Sequence, residues 1–203
     1  MASLTRAFFE RDTVEVARDL LGCILVHRVD DGRVAARIVE TEAYHGWDDK
    51  ASHAHRGRTP RNSVMFGMAG VSYVYLCYGV HWMLNVVARP PDAEYGAAVL
   101  IRAVEPLEGL EYMAQRRAGL PRQQWTNGPG RLTRAMGIVQ AHNGMDLLAP
   151  DSALGLEVGE RIPEGRVVRG PRVGINVPEP WKSVPWRFWV ADSLYISRRS
   201  GGS

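Results

Sequence analysis

The chain has 203 residues, 45% of them hydrophobic, and a formal charge of +3. That is enough apolar material for one sizeable core, and no shift in composition marks a second domain within 1–203. No run approaches the ~20 apolar residues of a membrane span, and Met1–Arg6 lacks the apolar stretch of a secretory signal. Cys23 and Cys77 show no Cys-x-x-Cys spacing, so they are expected as two small buried hydrophobes in a reducing, cytoplasmic protein with no membrane partner. Lys50 and Lys182 are the only lysines; a charge carried almost wholly by arginine suits phosphate recognition, although a codon bias toward arginine gives the same composition.

In chain order, Asp12-Thr13-Val14-Glu15 has the spacing of a capping box and opens a short helix that Gly22 stops. Cys23–Val29 and Arg33–Glu40 read as strands joined by a tight turn at Asp30-Asp31-Gly32, the second arm ending at Glu42. From His45 to Met68 no period is sustained, which predicts a long surface loop. Val71–Tyr78 and Trp82–Ala88 form a hairpin around Gly79-Val80-His81, and Ala97–Val104 adds a strand. Leu107–Ala118 reads as a helix, and Asn127-Gly128-Pro129-Gly130 introduces a second one over Arg131–Met136. Short strands follow at Leu154–Val158, Arg166–Val168, Arg172–Ile175 and Arg187–Val190, and 198–203 reads as a disordered tail. The pattern is an α+β single domain with a mostly antiparallel sheet and short flanking helices.

Glu42, on a strand and beside aromatic residues, is a candidate general base, because partial desolvation makes a carboxylate a better proton acceptor. A surface glutamate paired with arginine is the plainer alternative. Tyr73 and Tyr75 share a strand face while Tyr78 falls at the turn, so one face could stack a flat ligand; tyrosine is also simply a good strand former. His45, His53 and His55 with Glu42 could be tried as a metal site, but no second His or Cys cluster completes it. The Asn127–Arg131 turn could hold a phosphate at a helix start, though it is not a Walker loop, and no Gly-x-Ser-x-Gly elbow marks a nucleophilic hydrolase.

Five runs together resemble the alkyladenine (3-methyladenine) DNA glycosylase family: 37–44 (Arg-Ile-Val-Glu-Thr-Glu-Ala-Tyr), 59–62 (Thr-Pro-Arg-Asn), 73–79 (Tyr-Val-Tyr-x-x-Tyr-Gly), 100–109 (Leu-Ile-Arg-Ala-Val-Glu-Pro-Leu-Glu-Gly) and 127–132 (Asn-Gly-Pro-Gly-Arg-Leu). The resemblance implies one α+β domain with a curved antiparallel sheet and no cofactor or metal. It implies that Glu42 activates a water held by Arg102 and the backbone carbonyl of Val173. Tyr44, His53 and Tyr75 would line the pocket for a flipped base, Asn85 would crowd the 2-amino group of guanine, and Tyr78 would fill the gap left in the duplex. Arg58, Arg61, Gly130 and Arg131 would contact phosphates. The activity implied is monofunctional hydrolysis of alkylated or deaminated purines from double-stranded DNA by a monomer, at the nucleoid in a bacterium. Cationic alkylpurines would be favoured by the electron-rich faces of Tyr44 and Tyr75. His81, Trp82 and the loop 89–95 flank this machinery, and His55 could replace His53 if the loop were shifted. The competing readings are a noncatalytic nucleic-acid binding module and a metal-dependent hydrolase built on Glu42, His53 and His55.

Overall fold

The computed structural model describes residues 4–29 and 32–197. The turn residues Asp30 and Asp31 and the tail 198–203 lie outside the described residues. After a four-residue helix, α1 (Arg6–Phe9), which has no strong sequence signal, comes α2 (Thr13–Asp19). The Asp12 carboxylate caps α2 by accepting from the Val14 and Glu15 N–H groups at 2.8 and 3.1 Å. This satisfies two of the N–H groups that a helix start leaves unpaired.

Strands β1 (Ile24–Val29), β2 (Gly32–His45), β3 (Ser72–Cys77), β4 (His81–Val87) and β5 (Ala97–Glu108) follow, then helices α3 (Leu110–Arg116) and α4 (Pro129–Met136). The chain ends in β6 (Leu154–Glu157), β7 (Val167–Gly170) and β8 (Arg187–Val190). The eight strands form one antiparallel sheet in the order β3-β4-β5-β2-β1-β6, with β8 paired to β2 and β7. The expected α+β domain with an antiparallel sheet is thus present.

At 14 residues, β2 outruns its expected end. Its first half pairs with β1 and its second half, from Glu40 to Glu42, pairs with β8, while β5 lines the other edge from Ala35 to His45. Register shifts beside Ala35 and Glu40 bend the strand, as bulges do, and curl the sheet. Helix α2 packs on β2 and β5, where the Thr41 hydroxyl donates to the Ala17 carbonyl at 2.6 Å. With strands alternating faces, Glu40 and Glu42 therefore lie on the side away from α2.

Three expectations are corrected. Leu107 and Glu108 belong to β5, and α3 begins only after Gly109, whose φ of +67° breaks the chain direction. A Cβ there would sit 2.6 Å from the Arg33 carbonyl oxygen, so glycine is required by both conformation and space. His81 and Trp82 begin β4, so the hairpin turn is Tyr78-Gly79-Val80. Residues Arg172–Ile175 form a turn rather than a strand. Cys23 is buried, and burial pushes its thiol up to about 11, whereas Cys77 is half-buried.

A buried histidine pair ties β1 to the segment after α4. His27 Nδ1 lies 2.7 Å from the Met136 carbonyl, its Nε2 lies 2.9 Å from His142 Nε2, and the Val139 N–H donates to His142 Nδ1 at 3.0 Å. One neutral tautomer of each ring satisfies these three contacts. Burial, then the neighbouring His142 and Arg116, lowers the His27 pKa below 6.5. The folded state therefore binds this proton less tightly than the unfolded chain, so the stabilisation is complete above pH 6.5 and is lost as pH falls toward the folded value. Thermal melts are expected to show a Tm that drops between pH 7 and pH 5, with a shallower drop in His27→Gln; equal slopes would refute the assignment.

Candidate active site

Strand β2 carries two fully buried carboxylates into one ion network. Glu40 accepts from Arg102 Nε at 3.0 Å, Arg187 Nε at 2.7 Å, and the Ser197 N–H and hydroxyl at 2.6 Å each. Glu42 Oε1 accepts from the Val173 N–H at 2.6 Å, while its Oε2 accepts from the Tyr44 hydroxyl at 2.9 Å and from Arg102 Nη1 at 3.2 Å. Two acids and two arginines balance in charge, which is how buried ions are tolerated. Each of these contacts to Glu42 is a donor, the environment of a carboxylate with a lone pair still free to take a proton.

Burial works against the Arg102 guanidinium, but Glu42 and Glu40 outweigh it and raise its pKa above the usual arginine value. Arg102 also donates from Nη2 to Ser197 Oγ at 3.2 Å. These three bonds leave part of its five-donor fork for a ligand. Burial first, and then the charge of Glu42, lifts the Tyr44 phenol well above its ordinary range, so it stays protonated and donating. The contact Val173 makes is through its N–H, which seats the acid itself.

A cavity of about 160 Å³ opens next to this acid, lined by Tyr44, Ala51, His53, Met65, Tyr73, Tyr75, Asn85 and Ile175. At ~30 Å³ per water, it is sized for one small flat ring system. Alternation along β3 puts Tyr73 and Tyr75 on one face, with centroids 5.3 Å apart. His53 meets the Tyr75 ring edge-on at 4.6 Å and bonds the Tyr73 hydroxyl at 3.0 Å. Burial of the ring, and then Arg61, lowers the His53 pKa. Asn85 is fixed at the wall by donating to the Tyr73 carbonyl at 3.1 Å. His55 instead lies against the Trp47 carbonyl and does not line the cavity.

The two tyrosine rings expected to attract a cation each already carry one: Arg172 lies 4.8 Å from the Tyr44 centroid and Arg61 lies 5.5 Å from that of Tyr75. The sequence gives no sign of this.

Tyr78 stands at the tip of the β3–β4 hairpin, 92% exposed and with φ at +50°. A non-glycine residue in that region carries strain of order 1 kcal/mol. Behind the tip, a groove of about 920 Å³ runs from Arg102, Val173 and Ser197 past His81 and Trp82 to Gly130 and Arg131. Gly130 packs against His81, where a Cβ would come within 2.9 Å, so the start of α4 is held against the root of the hairpin. Arg131 is exposed and donates to Asn127 at 2.7 Å. Burial, then the charges of Arg134 and Arg131, lowers the Arg117 pKa, a sign that this wall concentrates positive charge. Arg58 is exposed on the loop before β3 and lines neither cavity. Loop 89–95 is held by Arg89, which donates to the carbonyls of Gly67, Phe66 and Ala93, and by Tyr95 packed 5.0 Å from His45.

The histidines diverge: His45 bonds Thr13, His53 bonds Tyr73 and His55 bonds Trp47. Among the described residues no three His, Cys, Asp or Glu side chains gather where they could hold a metal ion. Sequence reasoning missed Glu40, Arg187, Ser197 and the fully buried Asp49–Arg172 pair. Glu40 had a usable signal, since it lies two residues from Glu42 on a strand and must share its face.

The methylpurine-DNA glycosylase family model matches residues 7–194. A Myxococcus xanthus protein with the provisional name 3-methyladenine DNA glycosylase is 48% identical over 195 residues, covering 96% of this chain and 93% of that protein. Proteins given the same provisional name in Desulfitobacterium hafniense (46% identity, 97% of this chain and 99% of the relative) and Methanocella arvoryzae (46%, 100% and 99%) match as fully. With the match running through the strand that carries Glu40 and Glu42 and through both cavity walls, the chain belongs to the methylpurine-DNA glycosylase family, DNA glycosylases that hydrolyse N-glycosidic bonds.

Proposed function

We propose that the protein rotates an alkylated or deaminated purine out of duplex DNA into the Tyr44–His53–Tyr75 cavity and hydrolyses its N-glycosidic bond with a water activated by Glu42. The observation that carries this reading is a buried carboxylate with donors on both oxygens, one of them the hydroxyl of Tyr44, which lines an aromatic cavity of single-ring-system size. Glu42 takes a proton from the water, the water oxygen bonds to C1′, and the C1′–N bond breaks with its electron pair leaving on the base. Arg102 offers its remaining N–H groups to that water, and Val173 holds the carboxylate in register. Extrusion costs a few kcal/mol, least for a damaged or mispaired base. Tyr78 offsets part of it by occupying the vacated space, as apolar and aromatic wedges do. Arg58, Arg61, Gly130 and Arg131 position the backbone, and the enzyme works as a monomer on double-stranded DNA. Lys50 and Lys182 are exposed and line neither cavity, so among the described residues no lysine amine is placed for a Schiff base, and the expected product is an intact abasic strand.

The test is single-turnover release of base from a duplex containing one 7-methylguanine or hypoxanthine, in EDTA. Release by the wild-type protein is expected. Duplex binding without release of either base would instead favour a noncatalytic binding module, and release restored only by zinc would favour metal chemistry.

A further inference from the structure

We infer that the buried Asp49–Arg172 ion pair is the positioning unit of the active site, holding both the general base and the base-binding wall from outside the cavity; this rests on the glycosylase reading above. The pair is bidentate, at 2.5 and 2.7 Å, and both side chains are fully inaccessible to solvent. Its partners are what give it reach. Asp49 also accepts from the backbone N–H groups of His45, at the end of β2, and of Ala51, at 3.2 and 3.0 Å. Arg172 also donates to the carbonyls of Ala43, at 2.9 Å, and Trp181, at 3.1 Å, and lies against the Tyr44 and Trp186 rings.

The consequence follows from chain connectivity. Val173, whose N–H lies 2.6 Å from Glu42, is the residue after Arg172. Ile175, two residues further, lines the cavity, as do Ala51, two residues after Asp49, and Tyr44, which sits beneath the guanidinium. Because residues 172–175 form a turn with no ladder hydrogen bonds, the ion pair is the chief constraint on where the Val173 N–H points. A buried ion pair is a poor source of net stability compared with apolar packing of the same shape, but it is demanding about geometry. That demand is what a loop carrying a hydrogen bond to a catalytic carboxylate needs.

The test compares wild type with Asp49→Asn and Asp49→Glu in single-turnover base release, separating amplitude from rate constant. Misfolding removes active molecules and lowers the amplitude, whereas a displaced carboxylate lowers the rate constant of the molecules that remain. Asp49→Asn is expected to slow the limiting rate constant at least tenfold, with the enzyme concentration at half-maximal rate within about twofold of wild type, and Asp49→Glu to recover part of the loss. Amide hydrogen exchange provides a readout independent of chemistry: the Val173 N–H should be protected in the wild type and lose protection in Asp49→Asn while the β5 amides keep theirs. If Asp49→Asn is too unstable to assay, Arg172→Lys is measured in the same way. An unchanged rate constant in an active wild-type background, or an unchanged Val173 exchange rate, overturns the inference; an inactive wild type with lost Val173 protection would instead overturn the glycosylase reading and leave the positioning role standing.

Discussion

Glu42→Gln is expected to slow base release by roughly 10² to 10⁴, the usual contribution of a positioned general base, while duplex affinity stays close to that of the wild type. The side chain keeps its length and one oxygen, so the cavity keeps its shape. It loses the charge that attracts the water's proton. The amide also creates a local conflict: Val173 N–H approaches one oxygen while Tyr44 and Arg102 donate to the other, so the NH₂ group must face a donor whichever way it is turned. A lost hydrogen bond of this kind costs about 1–3 kcal/mol in a buried site. Release kinetics and a mobility-shift titration on the same lesion duplex separate the effects. Equal rates for variant and wild type would remove Glu42 from the mechanism, and a matching loss of affinity would make it a binding residue.

The second large effect is expected on stability, at Glu40. Glu40→Ala would strip the acceptor from Arg102 Nε, Arg187 Nε and both donors of Ser197 at once. Removing one side of a buried ion network typically costs about 3–5 kcal/mol, and in a domain of this size that corresponds to a Tm lower by roughly 6–20 °C. Glu40→Gln keeps one acceptor and should fall in between. Arg102 would be left with Glu42 as its acidic partner, so any folded Glu40→Ala protein should also release base more slowly. A melting shift below about 2 °C would mean that water or the freed arginines repair the network.

How much of this was legible in the chain divides by distance along it. Local chemistry was readable: Asp12 announces α2, Gly128-Pro129 announces α4, and the alternation in Tyr73-Val74-Tyr75 gives a strand with two rings on one face. The boundary between β5 and α3 was misread because Leu107 and Leu110 continue an apolar spacing that Gly109 interrupts through its conformation alone. Arg172–Ile175 has strand-forming residues, but its Val173 N–H goes to the Glu42 carboxylate instead of a neighbouring strand. The members of the ion networks are 123 and 147 residues apart in the Asp49–Arg172 and Glu40–Arg187 pairs. No propensity or period reports such a pairing, and the resemblance to known glycosylases supplied Glu42, Arg102 and Val173 without the groups that hold them.

The hairpin tip shows folding and function pulling apart. Tyr78 sits in left-handed backbone, in contact mainly with solvent, at a position where glycine or asparagine would be more stable and equally soluble. Thermodynamic optimisation of the free protein alone would discard it. Under the proposed function, a bulky aromatic that weakens its own loop would find its counterpart in the stacked bases of the duplex. The stability margin of the domain, maintained by its core and its buried ion networks, is what lets the chain carry an unfavourable residue at the hairpin tip.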